Sequence, residues 1–238
     1  MTTIALIGPD GAGKSTIARL VARQLSVPAR TVYMGVNLEA SRQMLPTTRL
    51  ALEVKRRRGR RPDMVAVDGS MAGAAPRRGL VGTARSAVRL ANWVAEEWYR
   101  QAIAWMHERR GRVVVFDRHF FCDYYAADVA PGRPDRPWTR RVHGRLLDRF
   151  YPRPDLVVLL DAPAEVFLAR KGEGSLESIE AMSHDYRALE DVVPRFVVVD
   201  ASQDRDRVVE EIVAHIVALL PDGADSAVPG PATSVDAA

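Results

Sequence analysis

Near the start of the chain, Gly8-Pro9-Asp10-Gly11-Ala12-Gly13-Lys14-Ser15 sets three glycines, a lysine and a hydroxyl at the spacing GxxxxGKS. That spacing suits a phosphate chain. Glycines let successive backbone N–H groups turn inward as an anion nest, and the N-terminus of a following helix adds partial positive charge. Lys14 has the reach for the outer phosphates, and the Ser15 hydroxyl suits Mg²⁺. The pattern means this only between a strand and a helix. Thr3 to Ile7 is a short apolar run, and Ile17, Leu20, Val21 and Leu25 recur on one helical face of the stretch from Lys14 to Leu25, so the context is right. The expected ligands are ATP and Mg²⁺, cradled by Gly8, Asp10, Gly11, Ala12, Gly13, Lys14, Ser15 and Thr16. Asp10 is anomalous there, because a carboxylate in an anion nest repels phosphates and must gain something else.

Three further apolar runs, Val113 to Phe116, Leu156 to Leu160 and Phe196 to Val199, show no alternation and each is followed by an aspartate: Asp117, Asp161 and Asp200. Runs of this kind are strands buried on both faces, as in a parallel sheet. Ligands of such sheets gather outside the carboxyl ends of the strands, which places these aspartates near any site. Phosphoryl transfer asks the protein for positioning and charge stabilisation rather than covalent chemistry. Asp117 is suited to hold the Mg²⁺ shell or to orient the attacking oxygen, and Arg118 to fork onto phosphate oxygens. Arg170 and Lys171 end a helix and enter Gly172-Glu173-Gly174-Ser175, a flexible stretch suited to a closing lid over about 170–176. The helix dipole alone also favours cations at that position. His119 reads as a satisfied, partly buried histidine, since Asp117 already fills the acid/base role.

The elements that must position these residues alternate strand and helix. Thr31 to Met34 reads as a second strand, Leu45 to Arg58 as a helix that Pro46 can begin, and Ala84 to Arg109 as a long amphipathic helix stopped by Gly111. Pro62 to Gly82 is rich in Gly, Ala and Pro and reads as a loop. Trp93, Trp98 and Trp105 fall at helical spacing and read as packing. A last helix is expected near Asp204 to Leu220. The fold expected is therefore α/β, a doubly wound, mostly parallel five-stranded sheet with helices on both faces and a mobile lid. One domain over 1–220 is followed by a tail, 221–238, with too little apolar surface to offset ordering entropy.

Composition narrows the class of function. The net charge is +4, but Lys55, Arg56, Arg57, Arg58, Arg60 and Arg61 alone supply six positive charges, so the rest of the chain is slightly acidic and basicity is local. Such a run serves as a solvated helix end, a seat for an acidic substrate, or a nucleic-acid or membrane contact. No aromatic interleaving accompanies it, which argues against nucleic acid. No run of about 18 apolar residues could span a bilayer, and Thr2 to Ile7 lacks the layout of a secretory signal. A cytoplasmic protein is expected, with Cys122, the single cysteine, as a buried inert thiol. No Cys and His pairing has zinc spacing.

Neither NKxD nor LSGGQ is present, and the chain is too short for a motor or helicase, which leaves a small kinase. At this point a resemblance is apparent. GPDGAGKST over Gly8 to Thr16 is similar to the P-loop of the thymidylate kinase family, and Phe116-Asp117-Arg118-His119 resembles its DRY-type motif. Pro154 to Glu165 resembles the family's strand before the lid, Ala169 to Glu173 the lid's start, and Val199-Asp200-Ala201-Ser202 the late loop that borders adenine. The resemblance implies ATP- and Mg²⁺-dependent transfer, Ala201 and Ser202 beside the base, catalytic roles for Lys14, Asp117, Arg118, Arg170 and Lys171, Mg²⁺ on Ser15 and Asp117, and Asp10 on a sugar hydroxyl of the acceptor. One segment departs from the pattern. Where the family has a TREPGGT-like stretch, this chain has Tyr33 to Glu39, so residues 36–83 are where acceptor identity is expected to lie. The partners expected are ATP and a small-molecule acceptor, with a homodimer open. A kinase of a sugar-like metabolite and a nucleotide-binding regulator that no longer transfers phosphate are the alternatives.

Overall fold

A computed structural model describes residues 2–35, 44–57, 80–132, 134–172 and 174–220. Five strands, β1 (Thr3–Ile7), β2 (Ala29–Tyr33), β3 (Val113–Asp117), β4 (Leu156–Asp161) and β5 (Phe196–Asp200), form one sheet in the order β2-β3-β1-β4-β5. Every pairing is parallel. The expected doubly wound α/β fold is therefore present, with all five strands parallel. Buried Val, Leu and Ile on both faces of the three central strands explain why these runs do not alternate.

The strand residues divide between two cores. Ile4, Leu6, Val115, Val158 and Leu160 face α1 (Lys14–Gln24), α6 (Ala164–Lys171) and α8 (Arg205–Val217). Ala5, Ile7, Val114, Phe116 and Leu159 face the other way. They pack against α3 (Leu80–Glu108), α4 (Phe120–Tyr124), α5 (Trp138–Phe150) and the C-terminal part of α7 (Leu176–Arg187). A π-helical turn, Tyr125–Val129, joins α4 to the loop before α5.

Helix α2 (Pro46–Arg57) begins at the expected proline and packs on α3. Thr47 donates to Asn92 at 2.7 Å, and the Leu45 N–H donates to Glu96 at 2.9 Å. The long helix starts at Leu80, four residues before the expected Ala84, and takes Gly82 into its first turn. Strand β2 begins two residues earlier than its apolar core suggested, because Ala29 and Arg30 pair with Val113 and Val114, and it ends one residue earlier, at Tyr33. Among the tryptophans, Trp93 and Trp98 pack against the second core, whereas Trp105 is exposed and lies tilted against Trp98 with ring centroids 5.8 Å apart. Cys122 is buried, as expected. Residues 36–43 and 58–79 of the acceptor-side segment, much of the basic run, Glu173 and the tail 221–238 lie outside the described residues.

Candidate active site

Strand β1 ends at Ile7 and α1 begins at Lys14, so the glycine-rich loop sits at the carboxyl edge of the sheet, where β1 lies between β3 and β4. Two of its glycines are required by space as well as by dihedral angle. A side chain at Gly8 (φ +145°) would come within 2.5 Å of the Leu160 carbonyl, and one at Gly11 (φ +93°) within 2.9 Å of the Phe167 carbonyl. The loop is thus wedged between the end of β4 and the body of α6. Gly13 caps α1, and Ser15 and Thr16 lie exposed in its first turn. The register Leu6↔Asp117 brings the aspartate alongside the loop, and the Arg118 N–H donates to the Leu6 carbonyl at 3.2 Å.

Charge converges on Asp10. Its carboxylate accepts from the Arg118 guanidinium and from Lys171 Nζ at 2.9 Å, and Lys14 Nζ stands 3.9 Å away. Burial acts to raise this carboxyl, but Arg118, Lys14 and Lys171 outweigh it and hold it well below the usual carboxylate range. That answers what a carboxylate gains in an anion nest: it is counterbalanced by cations from three elements, α1, the turn after β3 and the end of α6. Lys14 itself is buried and donates to the carbonyls of Gly8 at 2.8 Å and Pro9 at 2.6 Å. Burial, aided by the like charge of Arg118, pulls Lys14 down to about 7, while Asp10, Asp123 and Asp117 oppose the shift.

Arg118 adopts a left-handed backbone, φ 67°, and is the one non-glycine residue at positive φ among the described residues. Backbone conformations of this kind cluster at functional sites, where surrounding structure over-determines them. Burial works against its charge, but Asp123, then Tyr186 and Asp10, hold it protonated, above even the ordinary arginine range. Asp117 is buried, and its Oδ1 has no hydrogen-bond partner. An unsatisfied buried carboxylate oxygen calls for a ligand. Mg²⁺ characteristically binds through one or two carboxylates together with substrate phosphates, so Asp117 and the hydroxyl of Ser15 suit that ion.

The remaining expected residues lie further out. Arg170 donates to the Ala201 carbonyl at 2.9 Å, which ties α6 to the turn after β5. In that turn the Ser202 N–H and hydroxyl both donate to Asp200, at 2.8 and 2.6 Å. Asp161 pairs with Arg187 at 2.5 Å, and both line a cavity of about 440 Å³ between α6 and α7. Of the three strand-end aspartates, Asp117 is the one whose charge acts on Lys14. His119 is fully buried against Phe116 and Tyr151, and burial pushes it down to about 3, so it is neutral.

Several polar residues near the site were not anticipated. Arg100, buried in α3, pairs with Glu96 at 2.7 Å and donates to the carbonyls of Tyr33, at 3.2 Å, and Gly35. It thereby anchors the start of the segment in which the chain departs from the thymidylate kinase pattern. Its guanidinium also lies over the Phe120 ring, 5.7 Å from the centroid. Deeper in, His143 bridges Asp128 at 2.6 Å and Glu97 at 2.8 Å, while Arg140 donates to Asp128 at 2.6 Å and the Trp93 indole to Glu97 at 2.5 Å. Asp123, in the middle of Phe-Phe-Cys-Asp-Tyr-Tyr, accepts from the Tyr186 hydroxyl at 2.8 Å. A lone carboxylate amid large apolar residues was the available sequence signal for it.

No family model matches the chain. It is 31% identical over 110 residues to the probable thymidylate kinase 1 of Saccharolobus solfataricus, a stretch that is 44% of this chain and 54% of that protein. A second match, 44% identical over 52 residues, is to the ATP-binding protein Uup of Caulobacter vibrioides, covering 22% of this chain and 8% of the relative. The chain therefore spans about half the length of the first of these curated relatives and a small part of the second. Among solved structures, the deoxyadenosine kinase of M. mycoides aligns over 91% of this chain and all of its own, with a TM-score of 0.54 at 16% identity. That likeness supports the P-loop kinase fold.

Proposed function

We propose that this chain, a divergent relative of the thymidylate kinases, transfers the γ-phosphoryl group of ATP to a nucleoside, a nucleotide or a similar small hydroxylated acceptor. The observation that carries the reading is the convergence of Lys14, Arg118 and Lys171 on one anionic point above a glycine-lined nest. Cations brought from three separate elements to the mouth of the nest are placed to meet phosphate charge that enters there.

When ATP enters, its phosphates take the place at the nest that the Lys14 ammonium and the Asp10 carboxylate now share. Lys14 leaves the Gly8 and Pro9 carbonyls for the phosphates, which restores its full charge. Arg118 and Lys171 turn from Asp10 toward the transferring group, and Lys171, at the end of α6, closes the lid as it does so. Asp117 and Ser15 would hold Mg²⁺, which would supply neutralisation of the phosphate charge. Asp10, released from its cations, is free to accept from an acceptor hydroxyl, and Arg170 steadies the Ala201-Ser202 turn beside the base. The acceptor enters from the β2 side, where Arg100 fixes the Tyr33–Gly35 backbone. Because that segment differs from the thymidylate kinase pattern, dTMP is expected to be a poor substrate.

The test is steady-state transfer from ATP with Mg²⁺ to a panel of nucleosides, nucleoside monophosphates and free and phosphorylated sugars. Wild type should turn over at least one of them, and Lys14→Ala should lose about 3 kcal/mol of transition-state stabilisation, more than a hundredfold in rate. The circular dichroism spectrum should not change. A Lys14→Ala rate within tenfold of wild type would overturn the reading.

A further inference from the structure

Strand β2 ends at Tyr33, and its neighbours determine the face on which that side chain projects. Val32 and Met34 both belong to the second core. Successive side chains of an extended chain alternate, so Tyr33 projects to the opposite face, that of α1 and the glycine loop. Its register partner is Asp117, which is paired in turn with Leu6 of the aliphatic core. Tyr33 is therefore set beside the aspartate whose buried Oδ1 has no hydrogen-bond partner, at the carboxyl edge where ligands of such sheets gather.

The ring also has a fixed direction. A methyl group added to Gly35 would overlap the Tyr33 hydroxyl and Cζ, so the outer end of the phenol lies against backbone two residues further along the chain. The side chain leans along the strand direction and past its carboxyl end. Gly35 is not at positive φ, and it is space for the phenol, rather than a dihedral angle, that calls for glycine there. This backbone is secured from α3: Arg100 donates to the carbonyls of Tyr33, at 3.2 Å, and Gly35, and Glu96 holds Arg100 at 2.7 Å.

A tyrosine that serves packing buries its ring and satisfies its hydroxyl, as Tyr186 does with Asp123 at 2.8 Å. Tyr33 is only partly buried, and its hydroxyl has no hydrogen-bond partner among the described residues. Burial raises this phenol above the ordinary tyrosine range, against the pull of Arg118, so it stands as a protonated donor at neutral pH.

We propose that Tyr33 is an acceptor-binding residue: its ring forms one wall of the acceptor site and its hydroxyl donates to an oxygen of the acceptor, with Gly35 leaving the space that the ring needs. A nucleoside sugar offers both an apolar face for the ring and oxygens for the hydroxyl. The inference rests on the kinase reading above, in which the acceptor enters from the β2 side.

Three variants separate the parts of this arrangement. Tyr33→Phe keeps the ring and removes the donor, Tyr33→Ala removes both, and Gly35→Ala leaves the tyrosine in the chain but displaces it. In kinetics with ATP and the acceptor of the panel that wild type uses best, Tyr33→Phe should raise the acceptor KM about fivefold, and Tyr33→Ala should raise it further. The KM for ATP should stay within about twofold in both. Gly35→Ala should raise the acceptor KM about as much as Tyr33→Ala does, and should add nothing in the Tyr33→Ala background, where there is no ring to displace. An equal effect of Gly35→Ala in both backgrounds would overturn the role given to the ring. So would a parallel rise in both KM values with a lowered Tm, which marks a structural residue. If wild type turns over its acceptor and Tyr33→Ala leaves the acceptor KM within twofold, the inference fails and the kinase reading stands. If wild type phosphorylates nothing in the panel, the kinase reading fails and takes this inference with it.

Discussion

The two faces of the sheet are built from different materials. Behind the glycine loop, α1, α6 and α8 pack Ile, Val, Leu and Ala against the strands, and Phe167 is the one aromatic residue among the buried members of that core. On the other face the core holds Phe116, Phe120, Phe121, Tyr124, Tyr125, Tyr151 and Tyr186, with Trp93 and Trp98 packed onto it. The buried Glu96, Glu97, Arg100, Asp128, Arg140 and His143 belong to the helices of that same side. The difference matches the work that the proposed transfer would give each face. A triphosphate is gripped largely by backbone N–H groups, which need a close-packed aliphatic bed and glycines above it. An acceptor is recognised by side chains, which must be held in set rotamers by partners brought from distant parts of the chain.

This comparison is most easily broken at His143. Replacing it with leucine leaves Glu97 and Asp128 buried without their shared partner and should cost about 3 kcal/mol or more of stability. On the aliphatic face, Ile212→Val removes one methyl group and should cost about 1 kcal/mol. Urea unfolding of both variants measures the contrast, and equal losses would mean that the charges contribute no more than packing does.

The pH dependence sharpens the same contrast. Burial works against charge on His143, but its hydrogen bonds to Asp128 and Glu97 prevail and push it up to about 9 from an ordinary 6.5. The folded protein therefore binds this proton more tightly than the unfolded chain does. Its contribution to stability is fully present below about pH 6.5 and is lost as the pH rises through about 9. The difference in Tm between wild type and His143→Gln should accordingly shrink from pH 6 to pH 9.5. Ile212→Val should show no such trend.

The smallest expected effect lies on the nucleotide side. Arg170→Ala removes the hydrogen bond that ties α6 to the Ala201 carbonyl and should raise the KM for ATP about fivefold, roughly 1 kcal/mol. The KM for the acceptor should not move. A change in acceptor KM of similar size would show that the two faces are not separable in function.

What could be read in advance follows the same division. The glycine loop, its strand and its helix were legible because contiguous residues with fixed roles make them, and β1 runs from Thr3 to Ile7 as its apolar run indicated. The three Val- and Leu-rich strands with terminal aspartates were legible for the same local reason. Asp10 was recognisable as anomalous, but two of its three cations, Arg118 and Lys171, stand 108 and 161 residues away along the chain. Helix α5 escaped notice because Arg140, His143 and Gly144 occupy its buried face, where the amphipathic pattern calls for apolar residues. The polar face of a helix cannot be told from its core face when the core is itself charged. Nor could the pairing of Tyr186 with Asp123 be anticipated, since 63 residues and two strand boundaries separate them.

The backbone of Arg118 sets two kinds of selection against each other. A side chain with φ 67° carries a steric cost of about 1–2 kcal/mol that glycine would not bear. A library screened only for survival of heating should therefore drift toward glycine or asparagine at this position. A library screened for turnover should return arginine there, and the codon at which the two populations part company marks where the chain has accepted a strained fold for the sake of its chemistry.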